Sequence, residues 1–159
     1  MIKTYKVMLL PNNKQRTKLF ECAGVARWAY NWTLEQQQIN YKNGGKFLND
    51  KTLRKRLTEL KKTQEYKWLT NYSNNITKQA IKDACIACKN FFDGRAKYPK
   101  FKSKEKSKKS FYQDTVKILI TETHVKLEKL TTSKKKNKQN LNWIKLAEIG
   151  RIPVGLLKK

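Results

Sequence analysis

Acidic residues are scarce in this 159-residue chain: 12 Asp and Glu stand against 37 Lys and Arg, for a net charge of +25. Self-repulsion at that charge opposes a compact state unless a polyanion or counter-ions offset it, which excludes an ordinary metabolic enzyme. No apolar run approaches the ~20 residues that a membrane span requires, and the start of the chain shows no signal-peptide apolar core. Nucleic acid, not membrane, is the expected polyanion. Cysteine is limited to three, an odd number without a secretion signal, which fits a reducing compartment. Cys85 and Cys88 have C-x-x-C spacing, but no second cysteine pair or histidine cluster completes four zinc ligands. Both lie in an apolar helical stripe and are expected in the core. His124, the one histidine, has no sequence partner and reads as a turn or strand residue. No metal or cofactor is expected. Disorder does not fit 38% hydrophobic residues with four Trp and seven Tyr.

What is present is a change of period along the chain. From Ile2 to Leu10, Tyr5, Val7 and Leu9 alternate with Thr4, Lys6 and Met8, the pattern of a strand. Pro11-Asn12-Asn13 ends it and offers an Asn N-cap. A helix is predicted over about Lys14 to Lys42, with Leu19, Ala23, Ala26, Tyr30 and Leu34 on one face and Gly44-Gly45 as its stop. A second runs from about Asp50 to Lys62, capped by Asn49, with Leu53, Leu57 and Leu60 inward. Lys51, Arg54, Lys55, Arg56, Lys61 and Lys62 crowd its other surface, as a solvated face or as phosphate contacts; Arg54 is the candidate there. Trp68-Leu69 is expected to plug the junction to a third helix, about Asn75 to Asp93. That helix has two apolar stripes: Ile76, Ala80, Ala84, Ala87 and Phe91, beside Ile81, Cys85, Cys88 and Phe92. The three helices are expected to form a small antiparallel bundle.

Gly94 stops the third helix, and Pro99 holds Tyr98 extended. From Arg95 to Lys109 there follow eight basic residues and one acid, Glu105. That much like charge cannot pack into a core and is suited to lie along an external polyanion. Lys100, Lys102, Lys104, Lys108 and Lys109 are the phosphate candidates. In Ser110-Phe111-Tyr112-Gln113 charge gives way to aromatic and polar side chains able to touch bases. The period then returns to two: Val116, Ile118 and Ile120, then His124 to Leu127, Trp143 to Leu146, and Arg151 to Val154, with Lys134 to Lys138 as a loop. A lone N-terminal strand cannot bury itself and should pair with these later strands. The expected fold class is therefore α+β, a β unit interrupted by a helical insertion. Its expected parts are a first strand (1–12), helices (13–94), a basic linker (95–110) and the remaining strands (111–159).

Several short motifs occur in one order: Ile2 to Pro11, Ala26-Arg27-Trp28-Ala29-Tyr30-Asn31, Trp68-Leu69, Lys89-Asn90-Phe91-Phe92, Tyr98-Pro99-Lys100-Phe101-Lys102, Ser110-Phe111 and Leu146-Ala147-Glu148-Ile149-Gly150. Together they resemble the N-terminal part of the TnpB (OrfB) proteins of bacterial insertion sequences, RNA-guided nucleases related to type V CRISPR effectors. Ala147 replaces the family's usual Pro, and the stretch from about Thr121 to Asn142 is longer than usual. The resemblance implies a small β-barrel wedge domain interrupted by a helical recognition domain. In the family these parts grip guide RNA and the guide–target duplex, and read a short motif beside the target in double-stranded DNA. It also implies a bacterial cytoplasmic, nucleoid-associated protein. The family's three RuvC acids and zinc ribbon have no counterpart here, so no nuclease activity is expected of this chain, and a separate RuvC-containing chain is a further partner if the protein is split.

Candidates for reading the flanking motif are Asn74, Asn75, Lys78 and Gln79 at the start of the third helix, with Phe111, Tyr112 and Gln113 at the barrel entry. Gln and Asn can bond adenine bidentately, and an aromatic ring can meet the thymine methyl. The alternative for Phe111 is a place in the barrel core. Arg27, Tyr30 and Asn31 read as helix-packing residues, Arg27 being the one worth testing as a base contact. A free-standing DNA-binding regulator and an inactive transposon remnant remain alternative readings.

Overall fold

Asn12 turns the chain into its first helix through a reciprocal cap. Its Oδ1 accepts the Gln15 N–H (2.9 Å), and Gln15 Oε1 accepts the Asn12 N–H (3.0 Å). Two helix-end donors are thereby satisfied at once. The computed structural model describes residues 4–130 and 142–148. It divides into a sheet unit, Met1–Phe20 with Gln113–Lys159, and a helical unit, Glu21–Tyr112.

The helical unit is built on α1 (Asn13–Lys42, counted with the sheet unit up to Phe20), α2 (Asp50–Leu60) and α3 (Asn74–Phe92). The cap expected at Asn49 is present, its Oδ1 accepting the Thr52 N–H, and Ser73, not singled out from the sequence, caps α3 with its Oγ accepting the Asn75 N–H. One core cluster joins Cys22, Val25 and Trp32 of α1 to Leu53 and Leu57 of α2, and to Ile76, Ile81 and Cys85 of α3. The buried face of α1 differs from the expected one. Cys22, Val25, Ala29, Trp32 and Thr33 point inward, while Leu19, Ala23, Ala26 and Tyr30 are half-buried. Trp32 sets this register, because burying the largest apolar surface on the helix outweighs an alanine stripe. Leu34 does go inward, against Ala84 and Cys88.

Both stripes of α3 are buried as far as Ala84 and Cys88, with Ala87 only half-buried. Phe91 and Phe92, expected to continue them, are instead 39% and 62% exposed. They occupy the last turn, past the residues that form the two core clusters. Gly94 then adopts a left-handed φ of 72°, with its N–H on Phe91 O and the Arg95 N–H on Asn90 O. Such a turn caps a helix end cheaply only at glycine. Leu69 is buried, and Trp68 packs edge-on against Trp28.

In the sheet unit, β1 (Leu9–Leu10), β2 (Leu119–Ile120), β3 (His124–Lys126) and β4 (Trp143–Leu146) form one antiparallel sheet in the order β1-β4-β3-β2. The chain's first strand pairs with a late one as expected, Leu9 opposite Leu146. The strands are shorter than the alternation suggests. Tyr5 to Met8 lie outside β1, although Met8 O accepts the Ala147 N–H, and Val116 falls in a 3-10 turn, Thr115–Lys117, capped by Asp114. The expected barrel is not formed: among the described residues β1 and β2 are the two edges of an open sheet. The loop expected at Lys134 to Lys138 and the strand expected at Arg151 to Val154 lie outside the described residues. Gln15, almost fully buried, donates to Trp143 O at 2.7 Å and ties the start of α1 to β4. No helix among the described residues is long and apolar enough to cross a membrane.

Candidate nucleic-acid interface

Small side chains on two helices leave a trough in the helical unit. Ala23 and Ala26 of α1 and Ala80 of α3 line a groove of about 260 Å³, with Arg27, Tyr30, Gln79 and Asp83 around them. The basic segment runs along it: Lys102, Lys108, Phe111 and Tyr112 complete the lining. The half-buried Ala23 and Ala26 of α1 thus line the groove, and Ala26 also packs against the core.

The basic segment is held by specific contacts and is not a free tether. Asn31 Nδ2 donates to Lys102 O at 2.9 Å, and the Lys102 N–H donates to Asn31 Oδ1 at 2.8 Å. This pair fixes the Lys102 backbone to α1 as one rung of a ladder would. The Lys102 ammonium sits 4.1 Å from the centre of the Tyr30 ring, a cation–π distance. Burial, then Cys88 and Asp83, push the Tyr30 phenol above its ordinary pKa, so a neutral ring faces the ammonium. Tyr98 packs edge-on to Phe91 at 5.2 Å, and Phe111 packs against the helical core. Phe111 is therefore a half-buried anchor of the helical unit and no part of a barrel core.

The candidates separate by position. Gln79, Phe111 and Tyr112 line the groove; Asn74, Asn75, Lys78 and Gln113 do not. Gln79 Nε2 donates to Asp83 Oδ1 at 2.8 Å, one helical turn away, which orients its amide. Asn74 accepts from Lys61 Nζ at 2.9 Å, and Asn75 stands in the capped first turn of α3. Lys78 is exposed. Gln113 belongs to the sheet unit, with its Oε1 buried and without a hydrogen-bond partner. Lys100, Lys104 and Lys109 are exposed along the basic segment with Lys102 and Lys108. Arg54 stands apart, since its guanidinium pairs with Asp50 at 3.0 Å and its charge is answered locally.

Cys85 and Cys88 are buried free thiols. Burial, reinforced by Cys88, raises Cys85 to about 11, and burial also raises Cys88. A protonated thiol is a core side chain and a poor metal ligand. Among the described residues no group of His, Cys, Asp or Glu could hold a metal ion. Sequence reasoning missed Asn31 as the clamp of the basic segment, and Tyr30 and Asp83 as the partners of Lys102 and Gln79. No local signal links Asn31 to a residue 71 positions away; a carboxylate four residues after Gln79 was legible as an i, i+4 pair.

Residues 1–46 match a helix-turn-helix domain model of the OrfB type. Their described part holds β1 and one unbroken 30-residue helix, α1, and the next helix starts only at Asp50. InsQ of Escherichia coli (strain K12), named as an RNA-guided DNA endonuclease, is 27% identical over 143 residues, covering 90% of this chain and 36% of InsQ. A Streptomyces pristinaespiralis protein, also named as an RNA-guided DNA endonuclease, is 32% identical over 117 residues, 68% of this chain and 27% of that protein. The chain thus spans only about a third and about a quarter of these relatives' lengths. With that domain match and these two relatives, the chain belongs to the TnpB/OrfB proteins and corresponds to their N-terminal part.

Proposed function

We propose that this chain is a nucleic-acid-binding part of a TnpB-like RNA-guided DNA-targeting system, which holds guide RNA and reads a short motif beside the target in duplex DNA. The observation that carries this reading is the groove, where polar side chains around an alanine trough meet a clamped basic segment. Lys100, Lys102, Lys104, Lys108 and Lys109 supply phosphate contacts, which give affinity and register without sequence information. Gln79, Tyr112 and Arg27 supply the polar and aromatic contacts to base edges, and Asn74, Asn75 and Lys78 form a second set at the start of α3. Arg54 and Gln113 are weaker candidates, the first for its Asp50 pair and the second for its buried carbonyl. In this reading residues 13–94 act as the recognition part, 95–110 as the basic linker, and 1–12 with 111–159 as the wedge part. Cleavage is left to a RuvC-containing partner or region. A regulator that inserts a helix-turn-helix recognition helix fits less well. The matched residues hold one long helix, and the seven-residue gap from Asn43 to Asn49 exceeds the turn of ~3–4 residues in that motif.

A salt titration of binding to duplex DNA and to structured RNA tests the proposal. Neutralising about six phosphates gives a log–log slope near −5 on duplex DNA, and a slope shallower than about −2 would refute phosphate gripping. With magnesium or manganese the purified chain should leave DNA uncut. Cleavage abolished by changing Asp83 or Asp114 would overturn the division of labour.

A further inference from the structure

A second hollow in the helical unit is apolar where the groove is polar. It lies between the last turns of α1, the turn from Gly44 to Phe47 and the end of α3, and holds about 380 Å³. That is within the ~300–1,000 Å³ typical of small-ligand sites. Its wall is a chain of rings meeting at an angle: Phe47 to Phe92 at 6.0 Å, Phe92 to Phe91 at 5.4 Å, and Phe91 to Tyr98 at 5.2 Å. Phe92 is 62% exposed and Tyr41, on the rim, 79%. Two such rings turned to water on one small unit contribute little to its core.

The wall is preformed. Gly45 donates its N–H to Asn40 O, Asn40 donates its amide to Lys46 O, and a Cβ on Gly45 would overlap the Asn40 side chain. Gln38 lines the cleft with Tyr98. No described acid lines the cleft, while Lys42 and Lys46 do. Arg95, Lys97 and Lys100, all exposed, flank Tyr98 in sequence. Cationic flanks around an aromatic wall match a ligand that is flat, apolar on its faces and joined to phosphates. They do not match a second copy of a chain carrying +25.

We propose that this cleft takes an unpaired nucleobase of a single-stranded nucleic acid segment, stacked on Phe92 and Tyr41, with adjoining phosphates on Lys42 and Lys46. Every base has a π-face, so the site is sequence-tolerant and adds an anchor to single strands that duplex cannot use. The inference rests on the nucleic-acid reading above.

The test measures fluorescence anisotropy of the 159-residue chain with oligouridine, oligothymidine, an abasic strand of equal phosphate count and a duplex of equal length. The wild type should prefer base-bearing strands to the abasic strand. Phe92→Ala should weaken the base-bearing strands by about 5- to 100-fold and leave the abasic strand and duplex unchanged. Phe92→Trp should restore the preference. The ribose and deoxyribose strands separate an RNA source of the base from a DNA one. Equal weakening of all probes by Phe92→Ala would mean that the ring only positions the basic segment, and overturns the proposal. So does a wild type indifferent to bases, or sedimentation showing a dimer that Phe92→Ala dissociates. If Phe92→Ala lowers the melting temperature, Tyr41→Ala decides: the same base-selective loss supports stacking, and a uniform loss or none overturns it. Steep salt-dependent duplex binding without base preference would sink this site alone, whereas no binding to any probe would sink the functional reading beneath it.

Discussion

The helical unit and the sheet unit belong to one strongly cationic chain, yet their apolar residues are used differently. In the helical unit three helices and the turn that carries Leu69 close a common core, where Leu53, Leu69, Ile76 and Ile81 are at most 1% exposed. In the sheet unit the strands are two to four residues long, and only one side of the ladder goes inward. Ile144 and Leu146 are buried, while Leu119 and Ile120 are 54% and 42% exposed. The contrast shows where a polyanion site can be precise. Side chains on helices with a closed core are held within a fraction of an ångström, as the Gln79–Asp83 and Asn31–Lys102 pairs require. An open sheet of short strands offers shape and charge before it offers position.

The sharpest way to break the comparison is to open a cavity on the helical side. Leu53→Ala should cost about 2–5 kcal/mol, as fully buried leucine truncations do. Leu119→Thr, on the outward face of the edge strand β2, should stay within about 0.5 kcal/mol. Urea titrations followed by tryptophan fluorescence measure both, and similar losses would end the distinction between a tight unit and a loose one. Next in size is the charge. Changing Lys102 and Lys104 together to Ala should weaken binding alike on every duplex sequence and flatten the salt slope by about one to two units. A smaller and more selective effect is expected of Gln79→Ala. It should leave the salt slope alone and lose about 1–3 kcal/mol of discrimination in a randomised duplex pool. If the lysine and glutamine variants behave alike, gripping and reading are not separate functions of this groove.

Much of this was legible along α3, whose two stripes, Ile76-Ala80-Ala84 and Ile81-Cys85-Cys88, are the buried ones. Apart from the exposed Ile86, its apolar residues up to Cys88 gather on one side, so one register buries most of them. Along α1 they surround the helix, and several registers were equally good until Trp32 found its place against α2 and α3. Helix ends were readable because Asn12, Asn49 and Gly94 carry local signals. Barrel closure was not, because a period of two predicts a strand but not which edges meet. Nor were the groove and the aromatic cleft. Phe91 and Phe92 fit the inward stripes by spacing alone, and that they end beyond the core depends on where the partner helices stop. The basic segment was recognisable as a polyanion contact from its charge, whereas its attachment to α1 depends on contacts far apart in sequence.

That attachment gives the smallest and most discriminating test. Asn31 adds no charge and touches no proposed ligand; it acts through Lys102 by two hydrogen bonds, both at the surface. A typical hydrogen bond contributes about 0.5–1.5 kcal/mol, and exposed ones of this kind contribute less, because water replaces them readily. Asn31→Ala should therefore leave the urea midpoint nearly unchanged. Its cost falls on binding: the basic segment must be ordered by the ligand instead of by α1, and ordering a rotamer-rich side chain costs about 0.5–1.5 kcal/mol. The expected result is a several-fold weaker affinity with the full salt slope retained, because every lysine is still present. The double-lysine variant should do the reverse, losing slope first. A thermal melt and a two-salt binding measurement on the same sample separate the cases. A flattened slope in Asn31→Ala would mean that phosphate contacts are lost when the clamp opens, making the clamp part of the gripping surface itself. Unchanged affinity would mean that the segment holds its course without α1 and that the groove is not preorganised.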